Sequence, residues 1–510
     1  MKRRLILNTA SNYALFVLQI AVAFIMTPLY VRYLGLRDYG LWEVVVSIIG
    51  YAGMLDLGLW PTISRFVAKY QAERNRGQQE ATFATALVFM SVVGLLGALL
   101  TVVLLVTLEW DLFFGGGELT TYYRSFLGIV AISVIIKFPG IVAEAYLEGQ
   151  QRYALKNLFS IINLVVSTTI IFALIDGSSG LLLLATVSVF ASALKYSIFF
   201  TLLFVRQPQA FGFQLSACSR AHLGTLLRFG IKSFVQGLSG RITNQSSPLI
   251  IAAVANSALV PLFTIPASLV RYATTFLMTS THAFMPLFTS MAADGETGKI
   301  RDIYLVSNRA VVGLGALMLL GIVLVGPAFI AVWISDSVAA DSQVILAALA
   351  FGALGLALNP FGSRFLTAID QHGIYARFSP IFAVIGVALS IVLMLRYGLP
   401  GLAVGASAPV VVSLPLFVSV MCRHLGISPL TYVASFWAPV VAGSAAALLT
   451  WQLIIVPMLA MESFLSILIA AAMMSAAFGV AFLTLDLLGS PGVSVARRFL
   501  GRAAGHVASG

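Results

Sequence analysis

The sequence predicts an all-α polytopic membrane protein with about fourteen transmembrane helices, arranged as two parallel six-helix lobes followed by two C-terminal helices. Three observations predict it. Of the 510 residues 60% are hydrophobic and only 10% charged, where a soluble domain carries roughly a quarter charged. Apolar runs of about 20 residues, the length that crosses a hydrocarbon slab about 30 Å thick, recur throughout the chain. The cations between those runs alternate sides. The runs show no alternation of polar with apolar residues and are too long for β-barrel strands.

Taken in order, the spans fall at 10–31, 41–63, 81–107, 125–146, 157–175, 181–205, 229–254, 257–288, 303–330, 338–366, 377–396, 399–420, 432–456 and 462–485. The first is too long for a signal-peptide core and has no small-residue cleavage site after it, so it reads as a signal anchor and first span. Pro28, Pro61, Pro139, Pro248, Pro266, Pro286, Pro360 and Pro409 fall within spans. Each removes a helix hydrogen bond, so the spans are expected to bend.

Charge placement gives the orientation. Lys2, Arg3 and Arg4, the even-numbered gaps and the tail's Arg497, Arg498 and Arg502 hold 19 of the 30 lysines and arginines. Those gaps include Arg65, Lys69, Arg74, Arg76, Arg152, Lys156, Arg206, Arg220 and Arg228. The opposite gaps hold Arg32, Arg37, Arg124 and Arg396, together with Glu109, Asp111, Glu118, Asp336 and Asp341. By the positive-inside rule the cation-rich face and both termini are cytoplasmic. The net charge of +11 is thereby explained by topology, and no nucleic-acid partner is expected. Cys218 and Cys422 both fall in segments expected on the cytoplasmic side, where no disulfide is expected.

The longest polar interruption in the middle divides the chain into residues 1–206 (spans one to six), a cytoplasmic linker at 207–228, residues 229–424 (spans seven to twelve), and 425–510 (the last two spans and a tail). Six is even, so both lobes start inside and lie parallel.

Ionisable groups deep in a span are disfavoured by roughly 2.5–3.5 kcal/mol or more, and they usually face a bundle interior or an aqueous cavity. At 1.5 Å per residue, Arg241 in the seventh span and Arg271 in the eighth both lie near the midplane, and Lys137 and Lys195 reach similar depth in the first lobe. The nearby acids are Asp56 and Glu144. A purely structural role pairs Lys137 with Glu144, seven residues on along one helix face, and Arg241 or Arg271 with Asp56. Lys232, Arg309 and Arg364 lie within two turns of the cytoplasmic edge and read as snorkelling cations. An excess of buried cation needs a counter-charge, and an anionic substrate supplies one. Phosphate or pyrophosphate suits arginine, whose planar fork binds oxygens in pairs.

The run Pro28-Leu29-Tyr30-Val31-Arg32-Tyr33-Leu34-Gly35, then Tyr39-Gly40-Leu41-Trp42, Leu55-Asp56-Leu57-Gly58-Leu59 and Arg65-Phe66-Val67-Ala68, resembles the start of Wzx-type oligosaccharide flippases. These belong to the MATE-like multidrug/oligosaccharidyl-lipid/polysaccharide (MOP) exporter superfamily. The resemblance implies two six-helix lobes about a central cavity with alternating access. It also implies translocation of a polyprenyl-pyrophosphate-linked oligosaccharide across a bacterial inner membrane, toward O-antigen, capsule or exopolysaccharide, with a polysaccharide polymerase and glycosyltransferases as further partners. The implied substrate site is Arg241 and Arg271 on the pyrophosphate, with Lys137 and Lys195 supplying field or touching sugar. Asp56 and Glu144 are the candidates for coupling or gating. Lipid II flippases of the superfamily carry arginine in the first span, which here offers only Ser11, Asn12, Tyr13, Gln19 and Thr27.

No P-loop pattern occurs, so the expected energy source is an H+ or Na+ gradient or removal of product, with no cofactor. A MATE-type cation-coupled multidrug or metabolite exporter is the alternative, for which Asp56 is the coupling carboxylate. A membrane-embedded glycosyl- or acyltransferase needs clustered acids or histidines. His222, His282, His372, His424 and His506 form no cluster in the sequence, and the outer segment Glu109 to Arg124, with Gly115-Gly116-Gly117, reads as a solvated linker.

Overall fold

A computed structural model describes residues 2–107, 118–176, 180–206, 218–281, 284, 288, 291, 297–369, 371 and 373–488. Most of the linker, the outer segment as far as 117, the tail's arginines, and His282, His372 and His506 lie outside them, as does the side chain of Lys232. The described residues contain helices and no strand. The chain divides into two compact units, Met1–Arg241 and Ile242–Gly510.

The first unit holds α1 (Lys2–Ala52), α2 (Leu59–Ala72), α3 (Arg76–Thr107), α4 (Glu118–Gly149), α5 (Tyr153–Leu174), α6 (Gly180–Arg206) and most of α7 (Arg220–Val254), within which the division falls. α1 is long enough to cross a membrane twice. It breaks at Gly35 (φ 74°), and the rings of Tyr30 and Tyr39 on either side of the break lie 5.9 Å apart. The N-terminal end of α1 is tied to α5. Asn8 accepts from the Ala154 backbone N–H at 3.2 Å, satisfying an orphan donor of the first turn, and donates to the Gln151 carbonyl at 3.2 Å. The buried Asn157 amide donates to Ser11 and to Asn12. The core of the unit is Leu59, Ile63 and Val67 of α2 against Phe83, Met90, Phe138, Tyr146 and Phe199.

The expected second span is not one helix. After α1 ends at Ala52 a 3₁₀ turn covers Gly53–Asp56, Leu57 (φ 48°) and Gly58 (φ 73°) are left-handed, and α2 begins at Leu59. Close packing forces the break. A Cβ on Gly58 would stand 2.2 Å from the Gly230 carbonyl oxygen of α7, and one on Gly230 would stand 2.7 Å from the Leu57 carbonyl oxygen. Glycine is required at Gly58 both by its dihedrals and by this approach. Hydropathy registers neither, because every residue around the break except Asp56 remains apolar or small.

The second unit contains α8 (Val260–Ser280), α9 (Thr297–Trp333), α10 (Ser342–Ala357), α11 (Gly362–Ala368), α12 (Gly373–Leu425), α13 (Pro429–Ala434), α14 (Trp437–Thr450) and α15 (Phe464–Leu488). α12 breaks at Gly398 (φ 63°), and its two arms run back along each other. Ser390 donates to the Leu402 carbonyl at 3.3 Å, and a Cβ on Gly405 would lie 2.5 Å from the Ser390 backbone. The expected tenth span is also interrupted, between Ala357 and Gly362, at the Asn359-Pro360 step. The Leu358 carbonyl freed there accepts the Tyr432 hydroxyl, and Asn359 is held between the hydroxyls of Tyr304 and Tyr375 at 3.0 and 3.2 Å.

Two expectations need correcting here. Arg309 does not reach an interface. It is buried, with Asp486 of α15 at 2.6 Å and the Ser435 carbonyl as a second acceptor. A buried Asp486 gave it a partner that no local spacing revealed. Cys422 lies inside α12 and is buried rather than in a loop, while Cys218 is exposed. Around the ion pair the last two long helices pack on α9. Phe482 covers Gly313 and Phe478 covers Gly443, where a Cβ would come within 2.6 and 2.9 Å of the rings.

Gly58→Ala is expected to lower the thermal unfolding temperature in detergent much more than Gly35→Ala. Both have positive φ, which costs a non-glycine residue about 1–3 kcal/mol, and Gly58 adds overpacking of about 1–3 kcal/mol, where a Cβ on Gly35 meets nothing within 4 Å. Equal shifts would contradict the packing assigned to Gly58. Asp486→Ala, which strands a buried guanidinium, is expected to cost about 3–5 kcal/mol, and Arg309→Met with Asp486→Leu to recover most of it. Denaturation of the two variants and the unsubstituted protein measures this.

Candidate functional site

Among the described residues of the first unit, the candidate charges fall into two paired groups, with Lys137 apart from both. The first group grows from the broken span. Asp56 is only 2% exposed. Its Oδ1 accepts from the Gly58 N–H at 2.9 Å, so the carboxylate closes an Asx-turn just ahead of α2. Its Oδ2 lies 3.3 Å from Nη2 of Arg241, whose Nη1 donates to the Gly53 carbonyl. Thr62 donates to the Gly58 carbonyl at 2.8 Å. α7 therefore meets the break twice, through Gly230 and, roughly three turns on, through Arg241. The Arg241 side chain keeps 37% of its surface exposed, leaving part of its fork for another acceptor.

The second group is charge-balanced. Glu144 and Glu148 stand one turn apart on α4. Lys195 of α6 lies 3.5 Å from Glu144, and Lys156 of α5 lies 3.9 Å from Glu144 and 2.8 Å from Glu148. The indole N–H of Trp60 donates to the other Glu148 oxygen at 2.8 Å. Lys195 also lies 4.3 Å from the centre of the Tyr196 ring. Lys156, placed by the sequence in a gap between spans, is instead buried on the first turn of α5. Glu148 and Trp60 were not singled out from sequence, although the one-turn spacing of the two glutamates was a visible signal.

The pairing of Lys137 with Glu144 does not form. Their seven-residue spacing separates them by roughly 10 Å along α4, and Glu144 takes Lys195 and Lys156 instead. Lys137 is partly buried and has no ion-pair partner among the described residues. Lys195, Arg241, Glu144 and Asp56 are the charges that act on it. The structure thus brings together Asp56 with Arg241 and Glu144 with Lys195. Arg271 belongs to the second unit. It is exposed on α8, with the adjacent Tyr272 ring 5.8 Å away and no ion-pair partner among the described residues. Among the described residues no group of three or more His, Cys, Asp or Glu side chains is placed to hold a metal ion.

Comparison with known proteins gives three findings. A family model described as "Polysaccharide biosynthesis protein" matches residues 5–292. No curated protein matches the sequence. Among solved structures, the lipid II flippase MurJ in an inward closed conformation aligns with TM-score 0.69 and 14% identity, covering 95% of this chain and 100% of that one. An inward-facing MATE multidrug resistance transporter of the MOP superfamily aligns with TM-score 0.67 and 16% identity, covering 80% and 94%. A MOP superfamily transporter from Pyrococcus furiosus, described as having a binding pocket of reverse polarity, aligns with TM-score 0.57 and 15% identity, covering 83% and 95%. At these identities the likeness is one of fold, a MATE- and MurJ-like all-helical membrane fold.

Lys156→Met leaves two buried carboxylates short of a cation and is expected to destabilise the protein by about 3–5 kcal/mol. Lys137→Met removes a cation without a partner and is expected to be neutral or stabilising. Unfolding midpoints in detergent separate the two, and similar losses for both would contradict the charge pairing described.

Proposed function

We propose, from the premise that the chain belongs to the polysaccharide biosynthesis protein family, that it is a flippase. Its cargo is an undecaprenyl-pyrophosphate-linked oligosaccharide, moved from the cytoplasmic to the outer leaflet of a bacterial inner membrane. One observation carries this reading: the candidate cations are not all neutralised by protein. Lys137 and Arg271 have no carboxylate partner among the described residues, and Arg241, though paired with Asp56, keeps over a third of its side chain exposed. Cations at membrane depth without a counter-ion suit a cargo that brings its own negative charge. Arginine suits pyrophosphate because its fork meets two oxygens at once.

Arg241 and Arg271 hold the pyrophosphate in this reading, and Lys137 adds field or touches sugar. Lys195, already engaged by Glu144, contributes less than its depth in the sequence suggested. The polyprenyl tail stays in lipid. No bond of the cargo is made or broken, so the function is transport rather than catalysis. An H+ or Na+ gradient or removal of product supplies the drive, with Asp56 and Glu144 as the coupling or gating groups. A polysaccharide polymerase and glycosyltransferases are the expected partners in the pathway.

We infer fourteen crossings with both termini cytoplasmic. Among the described residues eleven helices are long and apolar enough to cross. Two of them, of 47 and 49 residues, are long enough to cross twice, and α7, of 35 residues, completes the count. The MATE-type drug exporter receives less support, because Asp56, Glu144 and Glu148 each already hold a cation.

Arg271→Ala and Arg241→Ala are each expected to weaken binding of undecaprenyl pyrophosphate by about 10- to 100-fold, the worth of a charge-assisted hydrogen bond. Both are expected to abolish complementation of a flippase-deficient strain at normal membrane levels of the protein. Normal surface polysaccharide with both variants would defeat the assignment.

A further inference from the structure

Within the first unit, α2 and the first part of α7 stay in contact from the helix break to the end expected to face the cytoplasm. Gly58 meets Gly230 at the break. Farther along, Phe66 of α2 meets the Phe229 ring edge to face, with ring centres 6.0 Å apart. At the far end the rings of Tyr70 and His222 lie 6.3 Å apart, and Nε2 of His222 lies 2.9 Å from the Thr82 hydroxyl of α3. That hydroxyl gives its own hydrogen to the Gln78 carbonyl at 2.7 Å, so the imidazole N–H donates to it. The joint is held along its length.

Arg65 adds a contact of another kind. Its guanidinium carbon lies over the Phe229 ring, 4.2 Å from the centre, while the residue remains exposed. A ring face attracts a cation but offers no oxygen, so the contact orients the guanidinium and leaves its N–H donors for another partner. No carboxylate is that partner: Arg65 has no ion pair among the described residues, and Glu73, the next acid along the chain, is taken by Lys69 at 3.8 Å. Arg228, adjacent to Phe229 in the chain, is also exposed and without an ion pair among the described residues. The positive-inside rule asks for charge alone, which a lysine supplies equally. Nor does the joint need the arginine, because Phe66 already covers Phe229 and the two glycines fix the helix approach.

We propose that Arg65 on its Phe229 platform, with Arg228 next to that platform in the chain, is a phosphate-binding site that receives the pyrophosphate of the cargo before Arg241 does. The proposal rests on the flippase reading and adds a loading step to it. An arginine held over a ring with its donors open meets phosphate oxygens in pairs. Phe229 and Arg241 stand about 18 Å apart along the axis of α7, farther than one pyrophosphate reaches. The first site lies at the edge of the membrane and the second at depth, so loading and holding are separate events with separate rates.

The test mixes the full chain, in phosphatidylcholine nanodiscs at low ionic strength, with farnesyl pyrophosphate carrying one N-acetylhexosamine, a soluble probe, and follows binding by stopped flow. Arg65→Gln is expected to slow association about tenfold, the lower end of electrostatic steering, and to leave dissociation unchanged. Arg241→Ala is expected to do the reverse, with faster dissociation at an unchanged association rate. The unchanged dissociation rate also reports that the Arg65 variant is folded. Arg65→Lys keeps the charge without the fork and is expected to recover only part of the lost rate. Full recovery in Arg65→Lys, or an association rate that Arg65→Gln leaves unchanged, overturns the site. Phosphatidylglycerol in the disc separates cargo from lipid headgroup: the difference in association rate between the unsubstituted protein and Arg65→Gln is expected to persist. Its disappearance assigns the site to phospholipid and overturns the loading role. Absence of binding to the unsubstituted protein overturns the flippase reading itself, and the loading site with it.

Discussion

The backbones of Gly58 and Gly230 touch in the first unit, so closely that any side chain on Gly58 would collide with the Gly230 carbonyl. Most of the charge arrangement in that unit follows from this contact. A continuous helix cannot pass the point, so the second span breaks and leaves backbone donors and acceptors without partners at membrane depth, where no water satisfies them cheaply. Asp56 caps the N–H of Gly58, and Arg241 takes the Gly53 carbonyl. Once two opposite charges serve the same break, they neutralise one another at no further structural cost. The Leu-Asp-Leu-Gly-Leu run is thus a helix break whose own aspartate closes the turn, and that aspartate is structural before it is anything else.

Charge conservation then limits what the remaining groups can do. Asp56, Glu144 and Glu148 are held against Arg241, Lys195 and Lys156. Breaking any such pair strands a desolvated charge, which resists change by several kcal/mol. A carboxylate so held takes up a proton or metal ion only when its pair opens, so Asp56 and Glu144 suit a gating role, in which coupling follows a change in the pair. Lys137 carries no such obligation, so removing it is expected to leave the fold intact. Depth in the sequence makes Lys137 and Lys195 look equivalent, and partner geometry separates them.

Helical spans, their order and the segregation of cations were legible in the sequence because each depends on composition summed over many residues. The candidate cations were legible for a related reason, since a charge in an apolar run stands out by itself. Their partners were not. Lys156 pairs eight residues back across a turn onto another helix, and Arg309 finds Asp486, 177 residues away. Neither distance has a periodic signature. The interruptions at Asp56 to Gly58 and at Asn359-Pro360 were hidden for a different reason. A helix can change direction without any change in hydropathy, and Pro28, Pro139, Pro248 and Pro266 all sit inside helices, so proline alone does not mark the place.

The two interrupted spans solve the same problem with different chemistry. In the second unit the freed Leu358 carbonyl is met by the Tyr432 hydroxyl, and Asn359 is held by two tyrosines, all without net charge. In the first unit the break takes an arginine and an aspartate. The neutral network carries no net charge with which to attract an ion, and the Tyr432 hydroxyl is already shared between the Leu358 carbonyl and Asn308. A guanidinium has five N–H donors, and Asp56 and Gly53 do not use them all. The charged break therefore keeps cationic donors in reserve where the neutral one has none, which is why an anionic cargo is expected to engage Arg241 at the first break rather than the tyrosines at the second.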